Sequence, residues 1–284
     1  MSLHFYLIFF YMQTLLYFPG GPGFNANPEM QLLNPLYEKE GLSLTGWHEP
    51  SRLRPAAYPY HKKNAYRHYL RCAEQFFLSQ YTNEPLAILA HCFGSYPLCH
   101  LLEKHPEKIS CAILITPDFC LGKTDRNILL SVLNNYRKYD GDKAAALQVI
   151  LEQYTGTFDA NTEAGFMLAA EDPCLFDAYW LDEEKKKSFI RFYSGAEYSI
   201  DAEAFFDVRK SFVKAGLRNS SVPVMVIYGR HDRIISIRDE LQELSRYFSN
   251  PQVTALEKAG HYPHIEEQEQ TLSLIKEFIE QTKI

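Results

Sequence analysis

Three residues, Cys92, Asp232 and His261, are of the types that together carry out nucleophilic catalysis. A cysteine attacks a carbonyl carbon, a histidine takes the thiol proton, and an aspartate orients the histidine and stabilises its positive charge. Each of the three follows a short apolar run that ends in a turn. Residues of these types can act together as a Cys–His–Asp triad that works through an acyl-thioester intermediate.

The cysteine stands where an apolar run meets a helical pattern. Leu86–Ala90 leads directly into the letters HCFGS, which carry Cys92. A sharp turn between strand and helix needs small residues two positions before and after its tip, and Ala90 and Gly94 are small. The start of a helix also stabilises an anion, which favours the reactive thiolate. The alternative is a buried structural cysteine, which the flanking small residues disfavour.

This segment resembles the nucleophile elbow of the α/β-hydrolase superfamily, whose usual pattern is Gly-x-Ser-x-Gly. Ala90 replaces the first glycine and Cys92 replaces the serine. The resemblance covers nearly the whole chain, because three further motifs occur in the family's order. It implies an α/β class and an α/β-hydrolase fold, with a mostly parallel, doubly wound sheet and a helical lid insertion.

Upstream, the letters YFPGGPG from Tyr17 resemble the His-Gly-Gly-Pro-Gly loop of these hydrolases. In the family that loop supplies one backbone N–H of the oxyanion hole, and the residue after the nucleophile supplies the other. By position the donors are Gly21 and Phe93. Pro19 stands where the family usually has histidine, so the hydrogen bonds that support the loop must differ here.

The acid and the base belong to two downstream motifs. Asp232 ends a strand-like run in a Gly-x-x-Asp turn, and His261 lies in a segment that resembles the family's Gly-His-x-Pro-His loop. An aspartate in a turn can also simply bond its own backbone. Asp118, which follows another strand-like run, is the alternative acid. His264 is interpreted as structural.

Cysteine at the nucleophile position leaves three interpretations. Cys92 can be active, it can be a relic in a protein that only binds a ligand, or Ser95 can act in its place. The complete Asp232 and His261 pair disfavours the relic, and Ser95 lies about a helical turn past the elbow tip. A thioester also reacts with amines and thiols as well as with water. We expect the substrate to be an ester, thioester or amide of a small apolar molecule, and acyl transfer and ligand binding without turnover remain alternatives to hydrolysis.

Short apolar runs predict the strands that position these residues. Their continuous hydrophobicity is typical of parallel strands covered on both faces. The runs are Phe5–Tyr11, Thr14–Phe18, Pro85–Ala90, Cys111–Thr116, Val222–Tyr228 and Val253–Leu256, with Leu42–Thr45 weaker. The helical patterns between them are Asn64–Gln80, Tyr96–Lys104, Ile237–Tyr247 and Gln270–Thr282. Because the oxyanion loop begins so early, we expect about seven strands, with an edge that a second protomer could cover as a homodimer.

Residues 119–218 interrupt this alternation with helical patterns and no convincing strand. We therefore expect a helical lid at 119–218 inserted into a core formed by 1–118 and 219–284. The predicted helices are Arg126–Tyr139, Lys143–Tyr154, Asn161–Glu171, Glu183–Tyr193 and Ala202–Leu217, the last capped by Asp201. Some of the many aromatic side chains in this segment are expected to line an acyl pocket.

Composition excludes several other classes of protein. The 284 residues carry a net charge of −6. A chain of this charge is not expected to have the basic surface that nucleic-acid binding needs. The six cysteines form no CxxC pair, so neither zinc ligands nor a disulfide framework is expected, and the setting is cytoplasmic. The apolar stretch Leu3–Phe18 has no basic residue before it and is too short to span a membrane, so we interpret it as two strands. No cofactor and no metal is expected, and the partner is a small-molecule acyl substrate.

Overall fold

The computed structural model describes residues 12–24, 26–49, 62–194, 202–214, 216 and 220–282. Within these ranges six strands form one parallel sheet in the order β2-β1-β3-β4-β5-β6. The strands are β1 Gln13–Phe18, β2 Leu42–Gly46, β3 Leu86–His91, β4 Ile109–Ile115, β5 Val224–Gly229 and β6 Gln252–Leu256. The predicted strand Phe5–Tyr11 lies outside the described residues.

Helices cover both faces of the sheet, which confirms the doubly wound α/β class. They are α1 Asn27–Lys39, α2 Ala65–Gln80, α3 Ser95–Lys104, α4 Leu121–Tyr139, α5 Gly141–Glu152, α6 Ala160–Ala170, α7 Glu183–Ser194, α8 Ala202–Lys210, α9 Ile237–Tyr247, α10 Pro263–Glu266 and α11 Gln268–Gln281. None of these helices, in the part of the chain that is described, has the length and hydropathy needed to cross a membrane.

Successive side chains of β1 enter different cores. Leu16 and Phe18 of β1 pack with α2, α3 and α9, whereas Leu15 and Tyr17 pack with α1 and α11. Alternation is a property of the strand backbone, so a strand covered on both faces needs apolar residues at every position. This two-sided packing explains the continuous apolar runs of the sequence.

The helices between β4 and β5 follow the predicted pattern closely. Helices α4, α5 and α6 share a buried cluster of their own around Leu129, Leu133, Tyr136 and Leu147. Helix α8 ends at Lys210 rather than at Leu217. The predicted cap Asp201 is outside the described residues. A separate cluster supports the division into a core and an insertion, which stays a prediction, as does the action of the insertion as a lid.

Helix α1 was not predicted from the sequence. Pro28 occupies its first turn, where the missing N–H costs nothing, but Pro35 lies inside the helix and hides the pattern. The helix is nevertheless stable in this context because Leu33 and Tyr37 are fully buried against the sheet. Tertiary packing here outweighs local propensity.

Candidate active site

Cys92 lies at the tip of a tight turn between β3 and α3. Its φ is +50°, a conformation that non-glycine residues rarely adopt, and a short 3₁₀ turn over Cys92–Gly94 continues into the helix. A Cβ on Gly94 would lie 2.5 Å from the carbonyl oxygen of Phe18 and 2.7 Å from that of Pro19. The turn therefore packs directly against the end of β1, and only glycine fits there.

The His261 side chain lies between Asp232 and Cys92. Its Nδ1 is 2.8 Å from Oδ2 of Asp232, and its ring also forms a hydrogen bond with the Cys92 side chain. Burial lowers the pKa of His261, but the Asp232 carboxylate and the neighbouring Cys92 raise it well above its usual value. The structure thus brings together the three residues predicted to form the triad.

The backbone of His261 is held as firmly as its ring. Its N–H donates to the carbonyl oxygen of Tyr179 at 2.7 Å. Its carbonyl oxygen accepts from Oγ1 of Thr116 and from Nε2 of His91, both at 3.0 Å. These contacts come from β3, the end of β4 and the insertion, so several distant segments fix one histidine.

Asp232 bonds both its own turn and His261, as the two interpretations of this residue expected. Its Oδ1 accepts from the backbone N–H of Ile234 at 2.8 Å and of Ile235 at 2.9 Å, as a turn aspartate does. Its other oxygen, Oδ2, faces His261. The local turn bonds fix the carboxylate so that it can orient the imidazole.

The two alternative residues have other partners. Oδ1 of Asp118 accepts from the hydroxyl of Thr124 at 2.6 Å, and burial raises the pKa of its carboxyl. The Ser95 hydroxyl is fully buried and donates to the carbonyl oxygen of Cys92 at 2.7 Å. In the described contacts neither side chain forms a hydrogen bond with His261. The geometry therefore favours Cys92 and Asp232 over Ser95 and Asp118.

The loop predicted to supply the oxyanion hole is supported by a carboxylate. Oε2 of Glu49 accepts from the backbone N–H of Gly23 at 2.7 Å, and the Tyr69 hydroxyl donates to the carbonyl oxygen of Gly21 at 3.4 Å. These bonds hold a loop in which Pro19 replaces the family's histidine. Gly21 and Phe93 both line the cavity that contains Cys92.

A cavity of about 300 Å³ opens over Cys92 and His261. Most of its walls are apolar, and many come from the insertion, namely Ile128, Phe166, Ala169, Ala170, Leu175, Phe176, Tyr179, Phe205 and Phe206. A volume of this size accommodates a small molecule. The aromatic residues in this wall belong to the set from which the sequence predicted an acyl pocket.

A buried ion pair at one side of the cavity was missed by the sequence analysis. Arg209 of α8 binds the carboxylate of Asp125 of α4, and both residues line the cavity. Burial raises the pKa of Asp125 to about 6, while Arg209 opposes that change. The pair joins two helices of the insertion that are far apart in the sequence, so no local pattern indicates it.

Two glutamates that anchor the insertion were also missed. Glu266 accepts from the backbone N–H groups of Leu181 at 2.6 Å, Asp182 at 2.8 Å and Gly260 at 2.7 Å. Glu240 accepts from the N–H groups that follow β4, at the start of the insertion. Backbone acceptors of this kind have no sequence signature.

Among the described residues, one group has ligand atoms close enough to hold a metal ion: Glu29, His91 and His264. The sequence analysis predicted no metal site, because these three residues lie on separate elements and their spacing in the sequence matches no known metal-binding motif. They adjoin the proposed catalytic residues, since His91 directly precedes Cys92.

Comparisons with known proteins agree with this architecture. The family described as alpha/beta hydrolase fold matches residues 14–268. A search of curated proteins found no match.

Solved structures show the same fold at low identity. A proline iminopeptidase-related protein from Thermus thermophilus is 18% identical, with a TM-score of 0.65 over 95% of this chain and 90% of the other. A putative non-heme bromoperoxidase from Mycobacterium tuberculosis H37Rv is 14% identical, with a TM-score of 0.62 over 96% and 93%. The 2-hydroxy-6-oxo-6-phenylhexa-2,4-dienoate hydrolase from Rhodococcus sp. strain RHA1 is 16% identical, with a TM-score of 0.58 over 94% and 90%. With a match over most of its length and a six-stranded parallel sheet that carries the elbow, the chain belongs to the α/β-hydrolase fold family.

Proposed function

We propose that this protein is an enzyme that cleaves an ester, thioester or amide of a small apolar molecule through Cys92, His261 and Asp232. The observation that carries the proposal is the position of the His261 ring, which bonds Asp232 through Nδ1 and also contacts Cys92. A protein that only binds a ligand has no need for a base with its own orienting carboxylate.

The reaction proceeds in two halves. His261 takes the thiol proton as Sγ of Cys92 bonds to the carbonyl carbon, and the proton then passes to the leaving group as its bond to that carbon breaks. In the second half, water attacks the thioester while His261 takes a proton from it. The carbon–sulfur bond breaks, the proton returns to sulfur, and the acid product leaves.

Backbone N–H groups of Gly21 and Phe93 are the proposed donors to the tetrahedral oxyanion. Both residues line the cavity beside Cys92, and the bond from Gly23 to Glu49 keeps the glycine loop in place. Donors fixed in advance stabilise developing charge because no solvent must reorganise. Each such donor is worth roughly 10²–10³ in rate.

The apolar wall of the cavity supports an uncharged or apolar acyl group as substrate. Phe166, Phe176 and Phe206 are among the large side chains of this wall. Helices that cover a site can exclude water and shape the pocket, which is the role proposed for residues 119–218 as a lid. The free thiols of all six cysteines support a reducing, cytoplasmic location.

Acyl transfer to an amine or thiol is the second candidate. It is favoured by the thioester that a cysteine nucleophile forms, because thioesters react readily with both acceptors. The same three residues would serve, with the acceptor in place of water.

Turnover of p-nitrophenyl esters of increasing chain length tests the proposal. The wild-type protein should release p-nitrophenol catalytically, and Cys92→Ala should abolish the release. Cys174→Ala is the matched control, because this cysteine is also partly buried but does not line the cavity, so its loss should leave the rate unchanged. Adding an amine or a thiol and identifying the product then separates transfer from hydrolysis. Equal rates in wild type and Cys92→Ala would exclude the cysteine mechanism.

A further inference from the structure

Three buried side chains converge behind the proposed catalytic residues. Glu29 belongs to α1, His91 ends β3, and His264 belongs to α10. Their relative exposures are 4%, 1% and 0%. One potential ligand atom from each lies within 4.8 Å of the others.

The tautomer of each histidine follows from its partner. Nε2 of His91 is 3.0 Å from the carbonyl oxygen of His261, which can only accept, so this nitrogen carries the proton. Nε2 of His264 is 3.2 Å from the Tyr17 hydroxyl. That hydroxyl gives its own proton to the Glu29 carboxylate, so His264 is the donor to its oxygen. Both Nδ1 atoms therefore present a lone pair.

Three atoms are left over. Nδ1 of His91, Nδ1 of His264 and Oε2 of Glu29 are buried and make no hydrogen bond with any residue that the structure describes. An unsatisfied buried polar atom costs about 1–3 kcal/mol. Buried polar groups normally have a partner, so a cation or a water molecule belongs between them.

The surroundings favour a cation. Two imidazole nitrogens and one carboxylate oxygen are a frequent donor set for zinc and related divalent transition metals. Histidines that bind metals usually donate their other ring N–H to an oxygen, which both His91 and His264 do here. Glu29 and His91 also line the cavity, which gives an ion a route from solvent.

We propose that Glu29, His91 and His264 form a binding site for one divalent transition-metal ion beside the catalytic cavity. Zinc binds such ligands at about 2.0–2.2 Å, and the ligand atoms of these three side chains lie within 4.8 Å of one another. Mg²⁺ prefers an oxygen-rich set and should bind poorly.

Titration of chelator-stripped protein with Co²⁺ and Zn²⁺ tests this proposal independently of catalysis. We expect one Co²⁺ per chain, d–d absorption bands, no thiolate-to-cobalt charge-transfer band, and a higher Tm with Zn²⁺ than with Mg²⁺. Glu29→Gln and His264→Gln should each weaken Co²⁺ binding by at least ~10-fold, since loss of even an outer partner costs 10–100-fold.

His100→Gln is the matched control, because His100 is a partly buried histidine bound to Glu74 on another part of the molecule. It should bind Co²⁺ as the wild type does. Far-UV circular dichroism of each apo variant separates loss of a metal ligand from loss of the fold. The Co²⁺ absorption spectrum of the wild-type protein tests the proposal without any substitution. The proposal is overturned if the wild type binds no stoichiometric ion, which leaves water as the occupant. It is also overturned if a charge-transfer band assigns the ion to a cysteine, or if the Glu29→Gln variant, which preserves side-chain shape, binds unchanged.

Discussion

Nδ1 of His261 lies 2.8 Å from Oδ2 of Asp232, although the two residues belong to loops that follow different strands. Asp232 comes after β5 and His261 after β6, and these strands are parallel neighbours. Their carboxyl ends therefore meet at one edge of the sheet, where Cys92 follows β3. The order of the strands, rather than sequence distance, assembles the three residues.

Asp232→Asn should keep the fold and lose most of the activity. The amide retains the shape of the carboxylate but cannot stabilise a positive imidazole, and it favours the wrong tautomer. We expect kcat with p-nitrophenyl esters to fall by roughly 10²- to 10⁴-fold. Steady-state kinetics on protein of unchanged circular dichroism measures the effect.

Asp118→Asn distinguishes the two candidate acids. Asp118 bonds Thr124 rather than His261, so its amide variant should lose much less activity than Asp232→Asn. An equal or larger loss in Asp118→Asn would assign the acid role to Asp118 instead.

Gly94→Ala should destabilise the protein and disrupt the elbow. The new Cβ would lie 2.5 Å from the carbonyl oxygen of Phe18, and backbone cannot move aside as a side chain can. We expect a loss of about 1–3 kcal/mol in the free energy of unfolding, together with a loss of ester turnover. Gly141→Ala is the control: no atom of the described residues lies within 4 Å of its added Cβ, so stability should stay the same or rise slightly. Urea unfolding compares the two, and similar losses in both would contradict the close packing at Gly94.

Glu266→Gln should loosen the connection between the insertion and the His261 loop. The carboxylate accepts from three backbone N–H groups, and an amide turns one of its two accepting oxygens into a donor. We expect a cost of about 1–3 kcal/mol in the free energy of unfolding. The loss of kcat/KM should exceed what the unfolded fraction explains, since Gly260 precedes His261. Glu257→Gln, which breaks only the exposed pair with Arg230, should cost less than ~1 kcal/mol, and an equal effect would refute the anchoring role.

Acid should weaken the packing of α2 on α3 through Glu74. Burial raises the pKa of this carboxyl, but hydrogen bonds from His105, His100 and Lys104 outweigh it and lower the pKa to about 2. A lowered folded-state pKa contributes stability above the unfolded value of 4.5, and this contribution is lost as the pH falls toward 2.

Glu74→Gln removes that dependence. Its Tm should be lower than the wild type's at neutral pH, and it should fall less between about pH 5 and about pH 2.5. Glu280→Gln, at an exposed position of α11, should follow the wild-type curve. Parallel curves for wild type and Glu74→Gln across this range would show that Glu74 contributes nothing to the acid sensitivity.

Sequence reasoning succeeded where one local pattern determines structure. The apolar runs gave five of the six described strands within about two residues, and the weaker run Leu42–Thr45 is also a strand, β2. The elbow, the Asp232 turn and the His261 loop were each recognisable from a few consecutive letters. Family membership follows from their order.

The features that could not be predicted from the sequence depend on contacts between distant segments. The Asp125–Arg209 pair and two of the three bonds of Glu266 join residues that are 84 or 85 positions apart in the sequence. The third bond of Glu266 holds the loop that precedes His261. Glu49, which accepts from the Gly23 N–H in the loop predicted to form the oxyanion hole, carries no motif of its own. Helix α1 was obscured by Pro35, because burial stabilises it where propensity does not.

The most direct test of the account is to map an acyl group onto the chain. The protein is mixed with a p-nitrophenyl ester, quenched in acid, digested, and sequenced by tandem mass spectrometry. We expect one acyl group, on Cys92, which accumulates in the wild type, forms far more slowly in His261→Gln, and is absent in Cys92→Ala. An acyl group on Ser95 or elsewhere, or no adduct while Cys92 is alkylated only as slowly as free cysteine, would contradict the mechanism.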